Sequence, residues 1–266
     1  MAGLSKLYFG YFAEMRSAWE GLAPGEAPPE DLLNALAGDG ITLLAFGIVN
    51  GRVRIVLESE PSISPAFLTQ RLKGRVSYSL KQNFGDFPGF TRHFFLRSLG
   101  QNTRKVVAHY IEEQVGRSDL VDPLYRERLE KLRFREDGEV PEQKTRHRGV
   151  YDLFAHLVLV TGDRYRMSSA QAGEVFGALV QAVKELEADP MEVSMMSDHA
   201  HLLLRWPAKL SAAELLQKVQ RESGRLFGRG AFWSSGGYVG TVGAYRLGTA
   251  LEASGEMGWR RLKGKA

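Results

Sequence analysis

The chain has 266 residues, of which 44% are apolar; this is enough for one large domain or two of ordinary size, each with a packed core. The absence of cysteine excludes disulfides, thiolate metal sites and cysteine nucleophiles, and it suits a reducing compartment. Lys and Arg number 35 against 31 Asp and Glu, and the resulting net charge of +4 permits a polyanionic partner without requiring one. The start, "MAGLSKLYFGYFAEM", soon meets Glu14 and Arg16, and no secretion leader is expected there. No apolar run reaches the length of a membrane span, so a cytoplasmic chain without a membrane partner is expected.

In chain order, "KLYFGYFAEM" (6–15) reads as an opening strand, and "IVNGRVRIVLESEPSISPAFLTQRLKGRVSYSL" (48–80) as strand, Pro-containing turn, Ser and amphipathic helix. "FFLRSLG" (94–100) is a further strand, followed by "LGQNTRKVVAHYIEEQ" (99–114). After Asp122-Pro123 a charged helix begins and runs into a polar, basic tether carrying Arg126, Arg128, Lys131, Arg133, Arg135, Lys144, Arg146 and Arg148; interleaved acids make a solvated helix the plain reading. "LFAHLVLVTG" (153–162) opens a second series. "SSAQAGEVFGALVQAVKELEADP" (168–190) follows, with Ser caps, an apolar stripe at Val175, Leu179 and Val183, and a stop at Asp189-Pro190.

The second series repeats the first. Residues 48–80 match 195–227 without a gap at a spacing of 147, so that Ile63, Ser64, Leu68, Gln70 and Arg71 face Leu210, Ser211, Leu215, Gln217 and Lys218. "FFLRSLG" then matches "GYVGTVG" (237–243), and "KLYFGYFAEM" is set against "LFAHLVLVTG". The pattern predicts two tandem α+β domains of ferredoxin-like type, antiparallel sheets with helices on one face, related by a pseudo-twofold. They span 1–116 and 150–266, with 117–149 as charged helix and linker.

"MMSDHAHLLLRW" (195–206) carries the chemistry. Side chains alternate faces along a strand, so His199 and His201 point the same way, and two neighbouring imidazoles can grip a divalent ion. On spacing alone, a His-x-His on a strand is more often packing. His93, His109, His147 and His156 read as ordinary core or surface histidines, and Trp233 and Tyr238 as core aromatics or as stacking platforms for unpaired bases.

The stretches "HLVLVTGDRYRM", "MSDHAHLLLRWPAKLSAAELLQKVQRESGRLF" and "FWSSGGYVGTVG" resemble the single-tyrosine HUH transposases, and among them the REP-associated tyrosine transposases. "LGQNTRKVVAHYIEEQ" resembles the nucleophile helix of that family, whose Tyr-x-x-x-Gln pattern falls on Tyr110 and Gln114. The usual Pro before Asp-His is Ser197 here. The resemblance implies a metal-dependent endonuclease and strand transferase on single-stranded, hairpin-flanked DNA, working through a 5′-phosphotyrosine intermediate. Tyr110 would be the nucleophile, and His199, His201 and Gln114 the ligands of Mg²⁺ or Mn²⁺.

The two copies have kept different parts. The first has Arg52-Val53-Arg54 where the second has His199-Ala200-His201, and a guanidinium has no lone pair for a metal. The second has Ala253 and Met257 where the first has Tyr110 and Gln114, with Gly248 and Gly255 set against a stable helix. A dimer fused into one chain, monomeric in solution, with one composite site follows. The competing expectation is a domesticated transposase that has lost catalysis and binds structured DNA or RNA, with Arg52 and Arg54 as phosphate contacts.

Overall fold

Serine caps start the long helices where the repeat puts them. Ser64 accepts the Phe67 N–H ahead of Pro65, and Ser168 with Gln171 and Ser211 with Glu214 form reciprocal capping boxes. The computed structural model describes residues 9–17, 19, 27–117, 122–136, 143–144, 149–228, 232–256 and 260–262. Its first series is β1 (Gly10–Arg16), α1 (Glu30–Gly38), β2 (Ile41–Val49), β3 (Arg52–Ser59), α2 (Pro65–Asn83), β4 (Phe94–Leu99) and α3 (Arg104–Glu112). Then come α4 (Gln114–Arg117), α5 (Pro123–Lys131), β5 (Arg133–Arg135), β6 (Gln143–Lys144) and β7 (Gly149–Asp152). The second series repeats the order as β8 (Phe154–Thr161), α6 (Ser169–Glu185), β9 (Asp189–Met195), β10 (His199–Arg205), α7 (Ala212–Leu226), β11 (Trp233–Val242) and α8 (Leu247–Glu256), closed by β12 (Arg260–Arg261). Among the described residues no helix is long and apolar enough to cross a membrane.

The two sheets share a core order. The first runs β12-β2-β3-β1-β4-β7-β6 and the second β11-β8-β10-β9-β5, so the antiparallel quartet β2-β3-β1-β4 is matched by β9-β10-β8-β11. This is the tandem ferredoxin-like α+β architecture that the repeat implies. Register corrects one detail of the repeat: Arg16 lies opposite Arg52 as Val160 lies opposite His199, so Phe12 is the counterpart of His156 and Glu14 that of Val158. The ungapped pairing of 6–15 with 153–162 is therefore out of step. Bonded neighbours, which sequence spacing cannot see, set the alignment.

Period-two alternation divides β10 between two environments. Ala200, Leu202 and Leu204 join Val175, Leu179, Val183, Leu215 and Val219 in the main core beneath α6 and α7. His199, His201 and Leu203 face the other way, and that face is covered by α3 from the first series. Val107 and Ile111 of α3 are buried against Phe154, Met191, Leu203 and Val242. The exchange is reciprocal, because Leu247 of α8, with Ala250 and Leu251, sits on Ala45, Val56 and Leu99 of the first sheet. Each such aliphatic burial is worth about 1.5–3 kcal/mol, which holds a short helix on the other series' sheet. The same burial explains why α8 forms despite Gly248 and Gly255.

A single crossing creates the exchange. Where β4 and β11 end, parallel bridges join Gly100 to Arg246 and Thr103 to Gly243, each the image of the other. Arg104 N–H donates to Gly243 O at 2.7 Å and Leu247 N–H to Gly100 O at 2.8 Å. Ser98 Oγ donates to Val242 O at 2.5 Å and accepts Phe154 N–H at 2.9 Å. Thr241 Oγ1 donates to Leu99 O in the same way and accepts Gly10 N–H at 3.1 Å. A second symmetric pair, Ala66 N–H to Ala208 O at 2.9 Å and Ala213 N–H to Pro61 O at 3.0 Å, ties the two helix starts together.

Only glycine fits at the crossing. A Cβ at Gly100 would overlap the Thr241 carbonyl, and one at Gly243 the Ser98 carbonyl, in each case backbone that has no flexible end to give way. Gly100→Ala and Gly243→Ala are each expected to cost roughly 2–4 kcal/mol, visible as a fall in thermal midpoint. The double variant should lose less than the sum, because both substitutions break one crossing. A midpoint unchanged by either would refute the packing described here.

Candidate functional site

Three imidazoles and two phenols meet where α3 lies on the second sheet. His199 and His201 stand on β10 with ring centroids 5.1 Å apart. Beside them on β8 is His156, whose ring stacks on His201 at 5.5 Å and 16° and whose Nε2 lies 3.2 Å from His201 Nδ1. Tyr110 reaches this face from α3, its ring edge-on to His201 at 5.5 Å and to His156 at 6.3 Å. Tyr238 of β11 closes the other side of His156 at 5.5 Å.

Local structure sets each position. Thr103 caps α3 by accepting the Val106 N–H, which aims the helix from the glycine crossing onto the sheet. At its far end Arg133 donates to Glu112 O and Arg135 pairs with the Glu112 carboxylate at 3.0 Å, so β5, hydrogen-bonded to β9, holds the helix down. The linker residues read as a solvated basic tether thus include two clamps. Arg128 likewise donates to Ser169 Oγ at 2.8 Å, and Tyr125 to Met167 O at 2.7 Å; Arg146, His147 and Arg148 lie outside the described residues.

The electrostatics keep the buried imidazoles neutral. His201 is 4% exposed, and burial, reinforced by the neighbouring His156 and His199, lowers its pKa to about 3. Burial alone takes His156 to about 4. His199 Nδ1 is 2.7 Å from Asp198 Oδ1, and Arg164 holds the other carboxylate oxygen at 3.0 Å. Against burial, which would raise it, the contacts from His199 and Arg164 hold the Asp198 carboxyl below its ordinary value. With Nδ1 of both histidines engaged, Nε2 of each is the atom left for a ligand, the arrangement that carboxylate–histidine pairs give to metal sites.

Gln114 stands apart from this group. At the start of α4 its side-chain amide donates to Tyr110 O at 3.1 Å, so it caps the helix carrying the tyrosine. Among the described residues no three His, Cys, Asp or Glu side chains cluster as a metal site. Trp233 is a core residue, its indole N–H donating to Ser223 Oγ at 2.8 Å, while Tyr238 is 41% exposed. His156, read from sequence as ordinary, belongs to the cluster.

The equivalent face of the first sheet carries arginines and a phenyl ring at the positions of the three imidazoles. Arg52 and Arg54 both bind Glu14, at 3.0 and 2.8 Å, and Phe12 meets Phe95 edge-on at 6.4 Å where His156 meets Tyr238 in the second series. Ala253 stands where Tyr110 stands in α3; Met257 lies outside the described residues.

Sequence comparison joins this geometry to a family. The model of the IS200-like transposases matches residues 30–114 and 149–251, one match for each series and well over half of the chain. The protein belongs to the IS200-like transposase family. Among solved structures it is similar to one from Deinococcus radiodurans R1 titled a "putative transposase", at 17% identity and a TM-score of 0.31, over 47% of this chain and 95% of that one. No curated protein matches the sequence.

The lowered histidines have a consequence for stability. Imidazoles that stay neutral in the fold but take up protons when unfolded stabilise it fully above the ordinary value of 6.5, and that contribution is lost as pH falls towards 4 and 3. In metal-free buffer the thermal midpoint should therefore fall between pH 7 and 4. His156→Phe, which copies Phe12, should make that fall shallower, as scanning calorimetry across the range would show. An equally steep fall in the variant would contradict the buried neutral state.

Proposed function

We propose that the protein is a metal-dependent single-strand DNA endonuclease and strand transferase with one composite site, acting on hairpin-flanked DNA. What carries the reading is the ring of Tyr110, brought by the first series' helix to 5.5 Å from His201 on the second series' sheet. Support also comes from what each series lacks: Arg52 and Arg54 replace the histidines in one, and Ala253 replaces the tyrosine in the other.

His199 and His201 would hold a divalent ion through Nε2; the burial of His201 and the engaged Nδ1 atoms of both rings fit such a ligand. Gln114 fits less directly, since its amide is turned to the Tyr110 carbonyl, and it would have to rotate to add its oxygen. The ion would supply Lewis-acid polarisation of the scissile phosphate and charge neutralisation. Tyr110, 40% exposed on its helix, presents its hydroxyl to an incoming strand. Its attack on phosphorus forms the Tyr110 O–P bond, breaks the bond to the departing 3′-oxygen, and leaves a 5′-phosphotyrosine and a free 3′-hydroxyl. The bond energy is kept, so the same hydroxyl can reverse the step and rejoin strands. His156 acts through His201, fixing the ring that must present Nε2.

A binding-only reading rests on the amide of Gln114 and on the arginines of the first series. The two readings part on chemistry. Wild-type protein with labelled hairpin-bearing single-stranded DNA and Mn²⁺ should give a denaturation-resistant adduct, and Tyr110→Phe should abolish it. Tight binding with no adduct on any hairpin would favour the binding-only reading. Mixing full-length Tyr110→Phe with full-length His199→Ala should restore less than about a tenth of wild-type cleavage, because each intact part is tied to a damaged partner within its own chain. Full recovery would mean that sites form between molecules.

A further inference from the structure

The pseudo-twofold that makes one composite site also makes a second place, on the first sheet beneath α8, where the missing groups have left room. A cavity of about 340 Å³ lies there, lined by Phe12, Arg97, Leu99, Tyr245, Ala250 and Ala253 among others. By the symmetry of the crossing, Ala253 takes the place of Tyr110, Ala250 that of Val107 and Phe12 that of His156. The loss of a phenol and of branched carbons on the helix accounts for the space. The change of imidazole to phenyl accounts for its apolar floor.

The cavity is not simply a scar, because its rim has a cation, Arg97, and a ring, Tyr245, where the opposite site has Gly240 and Asn102. Arg97 stands where the second series has Gly240; its guanidinium lies 5.0 Å from the Phe95 ring and 5.6 Å from the Tyr245 ring, and Asp152 fixes it at 2.6 Å. Tyr245 is 54% exposed at the mouth. Further along the same strands, Arg52 and Arg54 are held by Glu14, and a hollow of about 240 Å³ opens between Glu14, Arg16, Phe94 and Phe95. An apolar slot with aromatic walls and an oriented guanidinium at its edge, beside a row of arginines, matches an unpaired base attached to a phosphate backbone.

We propose that this vacated site is a non-cleaving nucleotide-binding site, which takes one unpaired base of the single-stranded DNA whose cleavage is proposed for the composite site. It rests on the single-stranded DNA reading of the function but not on the Tyr110 chemistry. The base enters between Tyr245 and Phe12 over Ala253, and Arg97 contacts the adjoining phosphate or the base edge. Mutation of one ancestral active site would thus have converted it into a holding site for the strand cut at the other.

The test uses full-length protein in a Tyr110→Phe background without divalent ions, so that no step depends on catalysis. The probe is a fluorescent DNA hairpin with thymidine tails on both ends. Ala253→Trp fills the cavity and is expected to weaken binding about tenfold, the scale of one lost stacked base, without lowering the thermal midpoint. Undiminished affinity in the filled variant overturns the proposal. Should that variant misfold, protein unsubstituted at Ala253 and irradiated with 5-iodouracil placed along either tail decides instead: crosslinks to Phe12 or Tyr245 support the site, and crosslinks confined to the face of Tyr110 and His201 overturn it. A protein without a tyrosine adduct that still crosslinks at Tyr245 loses the nuclease reading and keeps this one. An adduct-forming protein with no response to Ala253→Trp does the reverse.

Discussion

The architecture depends on two strand ends that cross with no side chain between them. Gly100 and Gly243 let β4 and β11 approach until the backbone of each bonds the helix start of the other, and Ser98 and Thr241 satisfy the carbonyls and amides that the crossing would otherwise strand. Everything downstream inherits this geometry. Because the chains cross before α3 and α8 begin, each helix has only the other series' sheet to lie on, and its apolar stripe is buried there. The meeting of Tyr110 with the histidines is then a consequence of topology, because α3 is laid on the second sheet.

That constraint also explains how the two series could diverge. In a symmetric dimer of identical chains, any substitution falls on both sites at once. Once fused, the two halves of the pseudo-dimer vary independently, and each has a face made of one helix and the other series' sheet. Tyr110 shares one of these faces with His199 and His201. Ala253 with Arg52 and Arg54 leaves the other without either part. Buried, stacked imidazoles tolerate little change, since a guanidinium or ammonium side chain placed among them would be desolvated without a carboxylate partner. On the first sheet the arginines are balanced by Glu14, which stands in the counterpart position of Val158, so the two cations have a carboxylate between them.

Much of this is legible in the sequence. The 147-residue repeat, the Ser caps and the strand alternation carry the element order and the α+β class, and His-x-His facing one way follows from the period of a strand. The rest depends on non-local pairing. His156 sits in an ordinary apolar strand whose alignment to the first series is set by hydrogen-bonded neighbours, and an isolated histidine there carries no spacing signal. The glycines at the crossing look like any strand-terminal glycine until the second strand is brought against them. β5, β7 and β12 add to sheets in ways that short, polar segments do not announce: β5 joins β9, β7 joins β4, and β12 joins β2. The clamp of Arg133 and Arg135 on Glu112 was hidden in what reads as a solvated charge run.

On the proposed reading, one site is assembled across the crossing from Tyr110 and the histidine pair. Anomalous diffraction from a crystal soaked in Mn²⁺ tests it most directly. One strong peak bonded to Nε2 of His199 and of His201, with the Tyr110 hydroxyl facing it and none at Arg52 and Arg54, is the expected result. A peak bound elsewhere, or α3 packed on the first sheet with Tyr110 away from the histidines, would contradict it.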